Sequence, residues 1–502
     1  LKPPGASRPL GRPPGRHGPG LCPHSGCVQS PGAGALASQV LCLGALLLPH
    51  GESVQASCST SRCLIWFTFS SVPDLVPRYY CGGRTACDGM SVGVVDLLLN
   101  WGPISFVPVA PFASWMLSFP GGLRSAMRLA ALLSFASTVI RLVPCRFPPG
   151  PDSENANLFL LLHVAQILNG ISGPILIAGP SRLSAIWFPP QQRTLATAVA
   201  NASFLGSAVG FVAGPAITGD DPERLPSLLL ATLAMALPPL LCVAAYCPAR
   251  PAVLPSASME STWDLGASSQ AGARDFLARA FSTLVQRPSV ALLMLVTALG
   301  VGVYDGWLGL LPQILDRYSP SFTGRPNLTG ACGASSTVCC LFGMWAAGVV
   351  ADRFFDRSLK ALLVRLSIAA ALSFAWIALS LGGAWGSGVL PSSAWSLSIA
   401  VSLASFFRTA AVPVMYELAA ELTYPEPEGT SAGMIVIAEH AALLCVLFVA
   451  PRVDVSYVTV ATLVSLGLCP LVLLAVREEY RRKDADLAAC LRHALTASGR
   501  EV

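Results

Sequence analysis

The sequence predicts an all-α membrane protein, and three observations support that class. Of its 502 residues, 53% are hydrophobic and only 12% are charged, well below the roughly 25% charged fraction of a typical soluble protein. Apolar runs of about 20 residues recur along the chain, and each is long enough to cross a bilayer. The net charge of +5 is small and spread over the loops, which indicates membrane orientation and no nucleic-acid partner.

The stretch 181–215 predicts a basic loop at the membrane surface, followed by an uncharged helix that packs closely against another helix. Small residues recur in it at every fourth position and therefore lie on one helical face. They are Ala198, Ala202, Gly206, Gly210 and Gly214. Because small side chains let a neighbouring backbone approach, this face is typical of membrane helix association.

Eleven apolar spans follow one another from residue 91 onward. We expect them at 93–117, 125–144, 157–179, 194–217, 226–246, 289–312, 331–351, 359–381, 393–416, 430–450 and 453–476. A polar, Pro- and Ser-containing segment divides them into two groups and is expected to hold one surface helix at 271–285. The predicted units are a first bundle (91–246), a linker (247–287), a second bundle (288–476) and a tail (477–502).

Residues 1–90 do not follow this pattern, and we expect them to form an atypical, largely disordered N-terminus. The first 35 or so are rich in Pro, Gly and Arg, a composition that predicts disorder. The apolar stretches 36–50 and 64–79 are shorter than the ~20 residues needed to span, so one of them is at most a weak first span. We number the spans with this weak one as the first, which gives 11 to 12 membrane helices.

Basic residues predict which side of the membrane each loop faces. The linker and the tail belong to the more basic set of connections, so the positive-inside rule puts both in the cytosol. The sequon at Asn327 then falls in a non-cytosolic loop, as a glycan acceptor must.

No catalytic or metal-binding pattern occurs in the sequence. It contains no G-x-S-x-G, P-loop or H-E-x-x-H motif, so we expect no enzyme activity. Many of the 16 cysteines lie inside apolar runs, where Cys behaves as a small hydrophobic residue. We therefore assign no metal site and no cofactor.

A charged motif closes the eighth span. Gly348-Val349-Val350-Ala351-Asp352-Arg353, followed by Lys360, resembles the G-x-x-x-D-R loop of the major facilitator superfamily. The resemblance implies two six-helix bundles, with Asp352 and Arg353 holding the inward mouth shut through charge and helix-dipole contacts. The matching first-half stretch, 115–124, has Ser or Phe where the acid belongs.

Further gate residues are expected near the cytosolic end of the tenth span. Glu417 and Glu421 lie one turn apart there. We predict that they join the gate by pairing with Arg193 or Arg353.

Three other stretches carry a closer resemblance. They are Leu99-Asn100-Trp101-Gly102-Pro103-Ile104, Trp187-Phe188 with Arg193, and Pro413-Val414-Met415-Tyr416-Glu417 leading to Tyr424-Pro425-Glu426-Pro427-Glu428-Gly429. Together they resemble solute carrier family 49, the feline leukaemia virus subgroup C receptor-related family. His163-x-x-Gln166-x-x-Asn169-Gly170 and the tail motif Arg477-Glu478-x-Tyr480-x-Arg482 are most similar to its disrupted-in-renal-carcinoma branch. The similarity covers roughly 91–486.

This resemblance implies a monomeric solute carrier of late endosomal and lysosomal membranes, with proton-dependent pyridoxine (vitamin B6) transport as its activity. Other branches look like choline/ethanolamine transporters or haem exporters, so those substrates and the plasma membrane stay open as alternatives. A non-transporting membrane receptor or scaffold is the alternative of another class. The family's acidic dileucine sorting signal is not seen in this sequence, which weakens the lysosomal placement.

Ionisable residues inside spans are the candidates for proton coupling, because each costs about 3 kcal/mol to insert. They are His163, Asp305, Glu439 and His440. His163 comes first because imidazole changes charge between about pH 5 and 7. Glu439 and His440 are adjacent and face about 100° apart, so at most one of them points into a central cavity.

The predicted substrate-binding residues are polar or aromatic and lie in spans: Trp101, Gln166, Asn169, Tyr304, Trp307 and Arg408. Tyr304 and Trp307 flank Asp305, where they could stack on a flat ring. Arg408 needs a counter-charge, for which Asp305 and Glu439 are the candidates. Trp101, with Asp96, could line the opposite wall.

Overall fold

The computed structural model describes residues 51–87, 89–146, 156–201, 204–245, 247–268, 272–382 and 388–497. Within these ranges the regular structure is helical throughout, apart from one isolated bridge between Cys87 and Met90. The predicted all-α class is confirmed.

The helices fall into two sets joined by a linker. The first set is α1 (Gly51–Phe67), α2 (Leu75–Tyr80), α3 (Val92–Ser118), α4 (Gly122–Arg146), α5 (Ala156–Trp187), α6 (Arg193–Ala200), α7 (Phe204–Thr218) and α8 (Leu225–Ala245). The linker carries α9 (Ala257–Ser268) and α10 (Ala273–Gln286). The second set is α11 (Pro288–Thr297), α12 (Val303–Gly309), α13 (Leu311–Tyr318), α14 (Pro326–Phe354), α15 (Leu359–Leu381), α16 (Ala394–Thr423), α17 (Glu428–Val449) and α18 (Val455–Ala475), and the tail forms α19 (Arg481–Ala497).

Eleven helical segments of the described chain are long and apolar enough to cross a membrane. Each overlaps one of the predicted spans, so the number and order of these spans are confirmed. Helix α10 also matches the surface helix expected at 271–285.

Helix α1 supplies the first helix of the first bundle, and it overlaps the apolar stretch 64–79 only at residues 64–67. Its polar side chains Gln55, Ser59 and Arg62 are buried, because α1 packs against α5, α7 and α8. The expectation of a largely disordered segment is therefore wrong for residues 51–87, which also contain a Cys81–Cys87 disulfide that the sequence did not predict. Residues 1–50 lie outside the described part of the chain.

The small-residue face of the 181–215 stretch packs against α1. A Cβ at Gly206 would lie 2.0 Å from the carbonyl oxygen of Thr60, and one at Gly214 would lie 2.0 Å from the Ser71 hydroxyl. The predicted close packing is confirmed at these glycines, while Ala202 falls outside the described residues.

The apolar cores show where the two bundles meet. One core is confined to the first bundle and another to the second. The largest core combines both bundles, and it includes Leu117 and Leu123 at the α3–α4 turn, Leu422 at the end of α16 and Tyr480 of the tail. The bundles are therefore closed against each other at the end that carries the linker and tail, which we call the linker side.

Candidate functional site

Asp352 of the second bundle contacts the first bundle at the linker side. Its carboxylate accepts hydrogen bonds from the backbone N–H groups of Thr194 (3.2 Å) and Leu195 (2.9 Å), in the first turn of α6. A helix N-terminus has unpaired N–H groups and a partial positive charge, so it stabilises a carboxylate. Gly348 permits this approach, because a Cβ there would lie 2.8 Å from the Leu195 Cα atom. This is the contact expected of the G-x-x-x-D-R motif.

Arg353 and Arg193 do not pair with the glutamates of α16, so that prediction is wrong. Arg353 is exposed and lies over the Phe354 ring. Arg193 is buried and donates to the Ser256 hydroxyl of the linker (2.7 Å) and to the Phe188 carbonyl oxygen. Arg193 therefore anchors the linker to the first bundle.

Arg482 of the tail takes the place that the sequence gave to Arg193 or Arg353. It forms ion pairs with Glu417, with Glu421 (3.3 Å) and with Glu428 (3.5 Å), and its own side chain is 2% exposed. Burial alone would lower the pKa of Arg482, but the three carboxylates raise it above its ordinary value. The tail is thus fastened to α16 and α17.

One buried ion pair joins the two bundles directly. Arg182 of α5 lies 2.6 Å from Glu428 of α17, and both side chains are buried. Next to it α17 approaches α3 closely, since a Cβ at Gly433 would lie 1.4 Å from the Ser114 hydroxyl. The sequence shows an arginine next to a long apolar stretch and a Glu428-Gly429 pair, which indicate charged positions near the membrane. It does not indicate that Arg182 and Glu428 pair with each other.

Trp101 and His163 are brought together in the first bundle. The indole Nε1 donates to the His163 Nδ1 atom at 2.9 Å. Because an indole N–H only donates, this Nδ1 is unprotonated, and a proton arriving there would break the bond. The structure thus joins a predicted proton-coupling residue to a predicted substrate residue.

Asp305 and Arg408 form an ion pair in the second bundle. Glu439, half-buried on α17, lies within electrostatic reach of the same arginine. Both predicted partners of Arg408 are therefore near it. A π-helical turn, Ala298–Gly302, precedes Asp305, a feature frequent at functional sites.

Tyr304 and Trp307 lie in the core of the second bundle. Tyr304 is hydrogen-bonded to Ser405 (2.8 Å), and Trp307 donates to Thr459 (3.0 Å). Trp307 is 0% exposed and lies against the Phe374 ring. These contacts support helix packing rather than the stacking on a substrate that the sequence suggested.

His440 faces the first bundle at the centre of the molecule. Its ring stacks on Phe106 of α3 with centroids 3.8 Å apart and planes at 13°. Its Nδ1 atom lies 3.0 Å from the Val436 carbonyl oxygen. His440 is thus an aromatic contact between the bundles, next to Glu439 in sequence.

Gln166 and Asn169 hold α5 against its neighbours. Gln166 accepts from Arg141 and donates to the Trp66 carbonyl oxygen (3.3 Å), while Asn169 donates to the Arg62 carbonyl oxygen (3.3 Å). The sequence reasoning missed both arginines, Arg62 because α1 was not recognised and Arg141 although it lies inside a predicted span.

Asn327 lies in the first turn of α14, at the end of the molecule away from the linker side, and its side chain is exposed. This placement leaves the predicted glycan acceptor free of neighbouring structure.

Two helical bundles, closed against each other at one end by carboxylate and arginine contacts, are the architecture of a membrane transporter. A sequence profile of the Major Facilitator Superfamily matches residues 62–445, and the chain therefore belongs to that superfamily. The proton:xylose symporter XylE has the same fold, with a TM-score of 0.64 at 14% identity over 86% of this chain and 98% of that structure.

Relatives within the superfamily support the solute carrier family 49 type. The solute carrier family 49 member 4 homolog of Xenopus laevis is 28% identical over 422 residues, which cover 78% of this chain and 84% of that protein. The choline/ethanolamine transporter flvcr2b of Danio rerio is 23% identical over 437 residues, covering 84% and 82%. The protein is thus a multi-pass membrane transporter of this type.

Proposed function

We propose that the protein is a proton-coupled carrier of pyridoxine that works by alternating access across the lysosomal membrane. The observation that carries the proposal is the arrangement around the bundle interface. Contacts between the bundles close the linker side, and titratable and aromatic side chains meet at the centre. Rocking of two bundles about a midplane site is how carriers of this architecture move a solute.

The cluster of Asp305, Arg408 and Glu439 is the proposed proton site. Two carboxylates share one arginine there, so the cluster holds one excess negative charge until a proton binds. Glu439 is the half-buried member of the three that lies outside the ion pair. Protonation of Glu439 would remove the excess charge and allow the bundles to move past each other in low dielectric.

His163 is the proposed second proton-coupling residue. Imidazole has an ordinary pKa of about 6.5, between lysosomal and cytosolic pH. Protonation at Nδ1 would release the Trp101 side chain. The Trp101 backbone packs closely against α5, since a Cβ at Gly170 would lie 3.1 Å from the Trp101 carbonyl oxygen. His440, stacked on Phe106, completes the set of titratable groups at the interface.

Pyridoxine is proposed as the solute from the family resemblance, and aromatic side chains at the interface support a flat ring. Phe106, Trp66 and His440 lie together there. Choline or ethanolamine, the substrates in the name of the Danio rerio relative, would instead place a cation beside the buried arginines of the first bundle. No feature of the described residues favours haem transport or a non-transporting scaffold over these two solutes.

Lysosomal location, glycosylation at Asn327 and a monomeric state complete the proposal. Exposure of Asn327 at the end away from the linker side supports the glycan, with the linker and tail in the cytosol. A mobility shift that is removed by a glycosidase and absent in Asn327→Gln tests it.

Uptake of labelled pyridoxine tests the proposed function. Cells that carry the protein at the plasma membrane are assayed at external pH of about 5.5 and 7.4, a range that brackets imidazole titration, with labelled choline in parallel. We expect faster pyridoxine uptake at acidic pH, and loss of that dependence in Glu439→Gln. Uptake of choline alone, without pH dependence, would overturn the proposal.

A further inference from the structure

Arg62 and Arg141 are buried in the first bundle, away from the linker side, and neither forms an ion pair with a carboxylate among the described residues. Arg141 is 0% exposed and donates to the Ile65 carbonyl oxygen (2.7 Å) and to Gln166. Arg62 is 2% exposed, and its one recorded side-chain hydrogen bond is a weak one to the Cys63 sulfur at 3.8 Å. Its Nε and Nη2 atoms have no hydrogen-bond partner in the described chain.

The carboxylates of the first bundle whose side chains the structure describes lie in loops or near helix ends, and none of them forms an ion pair with these arginines. They are Asp74, Asp96, Asp220, Asp221 and Glu223. A buried charge without a counter-charge is strongly unfavourable. An anion that reached Arg62 would therefore gain a strong, charge-assisted hydrogen bond.

Arg62 lies next to the surface along which the bundles separate. Its guanidinium carbon is 5.1 Å from the Trp66 ring centroid and 4.9 Å from that of Phe106. Phe106 in turn stacks on His440 of the second bundle. Gly173 leaves the room that the guanidinium occupies, because a Cβ there would lie 2.8 Å from the Arg62 Nη2 atom.

The second bundle presents the opposite charge to the same centre. Asp305 and Glu439 together face the single cation of Arg408, and Glu439 is adjacent to His440 in sequence. A solute at the interface therefore meets unpaired positive charge on one side and excess negative charge on the other.

We infer that the site also takes flat rings that carry a carboxylate or a phosphate ester and prefers them to neutral pyridoxine, and that Arg62 binds this anionic group. The inference rests on the proposed function in that this interface is the transport site. When the bundles part, the ring lies between Phe106 and His440, with its anionic group on Arg62 and its basic or neutral edge towards Glu439. Arg141 is a second positive charge against α1, where it donates to the Ile65 carbonyl oxygen and to Gln166.

Calorimetric binding to the full chain in lipid nanodiscs tests this inference without relying on transport. Three probes share one ring: pyridoxine 5′-phosphate, 4-pyridoxate, which carries a carboxylate, and neutral pyridoxine. We expect both anionic probes to bind wild type roughly tenfold or more tightly than pyridoxine, as a buried charge-assisted contact requires. Preference for only one of the two anions would identify which group the site takes.

Variants at Arg62 identify the group responsible. In Arg62→Gln the preference for anionic probes should vanish while pyridoxine affinity stays within about threefold, and Arg62→Lys should retain part of it. Arg325→Gln, which removes an exposed arginine of the outer loop, should change nothing. If Arg62→Gln does not fold, the three probes on wild type decide alone.

Equal binding of neutral and anionic probes to wild type, or equal weakening of all three by Arg62→Gln, would overturn the inference. Pyridoxine transport without any anion preference would overturn this inference and leave the proposed function standing. Anion preference in a protein that transports no ring compound would overturn the proposed function and leave the anion site at Arg62 standing.

Discussion

The ion pair between Arg182 and Glu428 is the contact whose loss should open the linker side. Its atoms are 2.6 Å apart and its side chains are 1% and 4% exposed, so both charges are desolvated. Removing one partner of a buried pair costs about 3–5 kcal/mol. In Arg182→Gln, Glu428 keeps Arg482 at 3.5 Å, so we take the lower figure of about 3 kcal/mol. At 1.4 kcal/mol per tenfold, this shifts the closed-to-open equilibrium roughly 100-fold.

Hydrogen–deuterium exchange of backbone amides measures this shift in wild type and Arg182→Gln. We expect faster exchange in segments that the closed mouth protects, 110–118, 193–200 and 428–436, and unchanged exchange at the opposite end of the bundles. The matched control is Asp484→Asn. It breaks an exposed ion pair with Arg357, with side chains 62% and 50% exposed, which contributes at most about 1 kcal/mol.

Unchanged exchange in those segments, in a variant that remains folded, would refute the assignment of this pair as a gate. A double-mutant cycle with Glu428→Gln isolates the pairwise coupling. A coupling below about 0.5 kcal/mol would refute it as well.

Three further variants test other contacts. Gly206→Val places a side chain against the backbone of α1, so we expect less folded protein on size exclusion. The control Gly467→Val should give the wild-type yield, because no neighbouring atom lies within 4 Å of a Cβ at that position. Equal yields of the two variants would contradict the packing. Asp305→Asn removes the direct ion-pair partner of the buried Arg408, which keeps only the more distant charge of Glu439; we expect a destabilisation at the lower end of the range for a buried pair, about 3 kcal/mol, so an unchanged Tm would count against the pair. A hydrogen bond from Tyr318 lowers the pKa of Asp454 to about 2. A carboxylate whose pKa is lowered by folding stabilises the fold at pH values above its ordinary pKa, and this stabilisation is lost only as the pH falls towards its pKa in the folded protein. Asp454→Asn should therefore lower Tm equally at pH 5 and 7.4. A decrease in Tm that is smaller at pH 5 would contradict this.

The eleven apolar spans could be predicted because hydropathy reports directly on contact with lipid. Helix α1 could not be predicted in this way, because its polar side chains Gln55, Ser59 and Arg62 are buried against neighbouring helices. Hydropathy does not report on such contacts. A helix of 17 residues with a polar sequence gives no such signal. Its partner face was nevertheless visible in the spacing of Gly206, Gly210 and Gly214.

The gate was predictable as a region but not as a set of pairs. Asp352 makes the expected contact because its motif fixes both the helix end and the glycine that lets it approach. Glu417 and Glu421 were predicted to belong to the gate, but their ion-pair partner Arg482 comes from the tail. Sequence spacing cannot show which of several arginines, distant along the chain, pairs with these glutamates. That choice depends on the tertiary fold.

Proton movement with pyridoxine is the measurement that bears most directly on the proposed function. Purified protein is reconstituted into liposomes with a trapped pH-sensitive dye, and pyridoxine is added outside without any imposed pH gradient. We predict that pyridoxine acidifies the lumen in step with its own entry, because the proton enters with it, and that Glu439→Gln carries pyridoxine without this pH change. Pyridoxine entry in wild type with no change in lumenal pH, or no entry at all, would contradict a proton-coupled carrier.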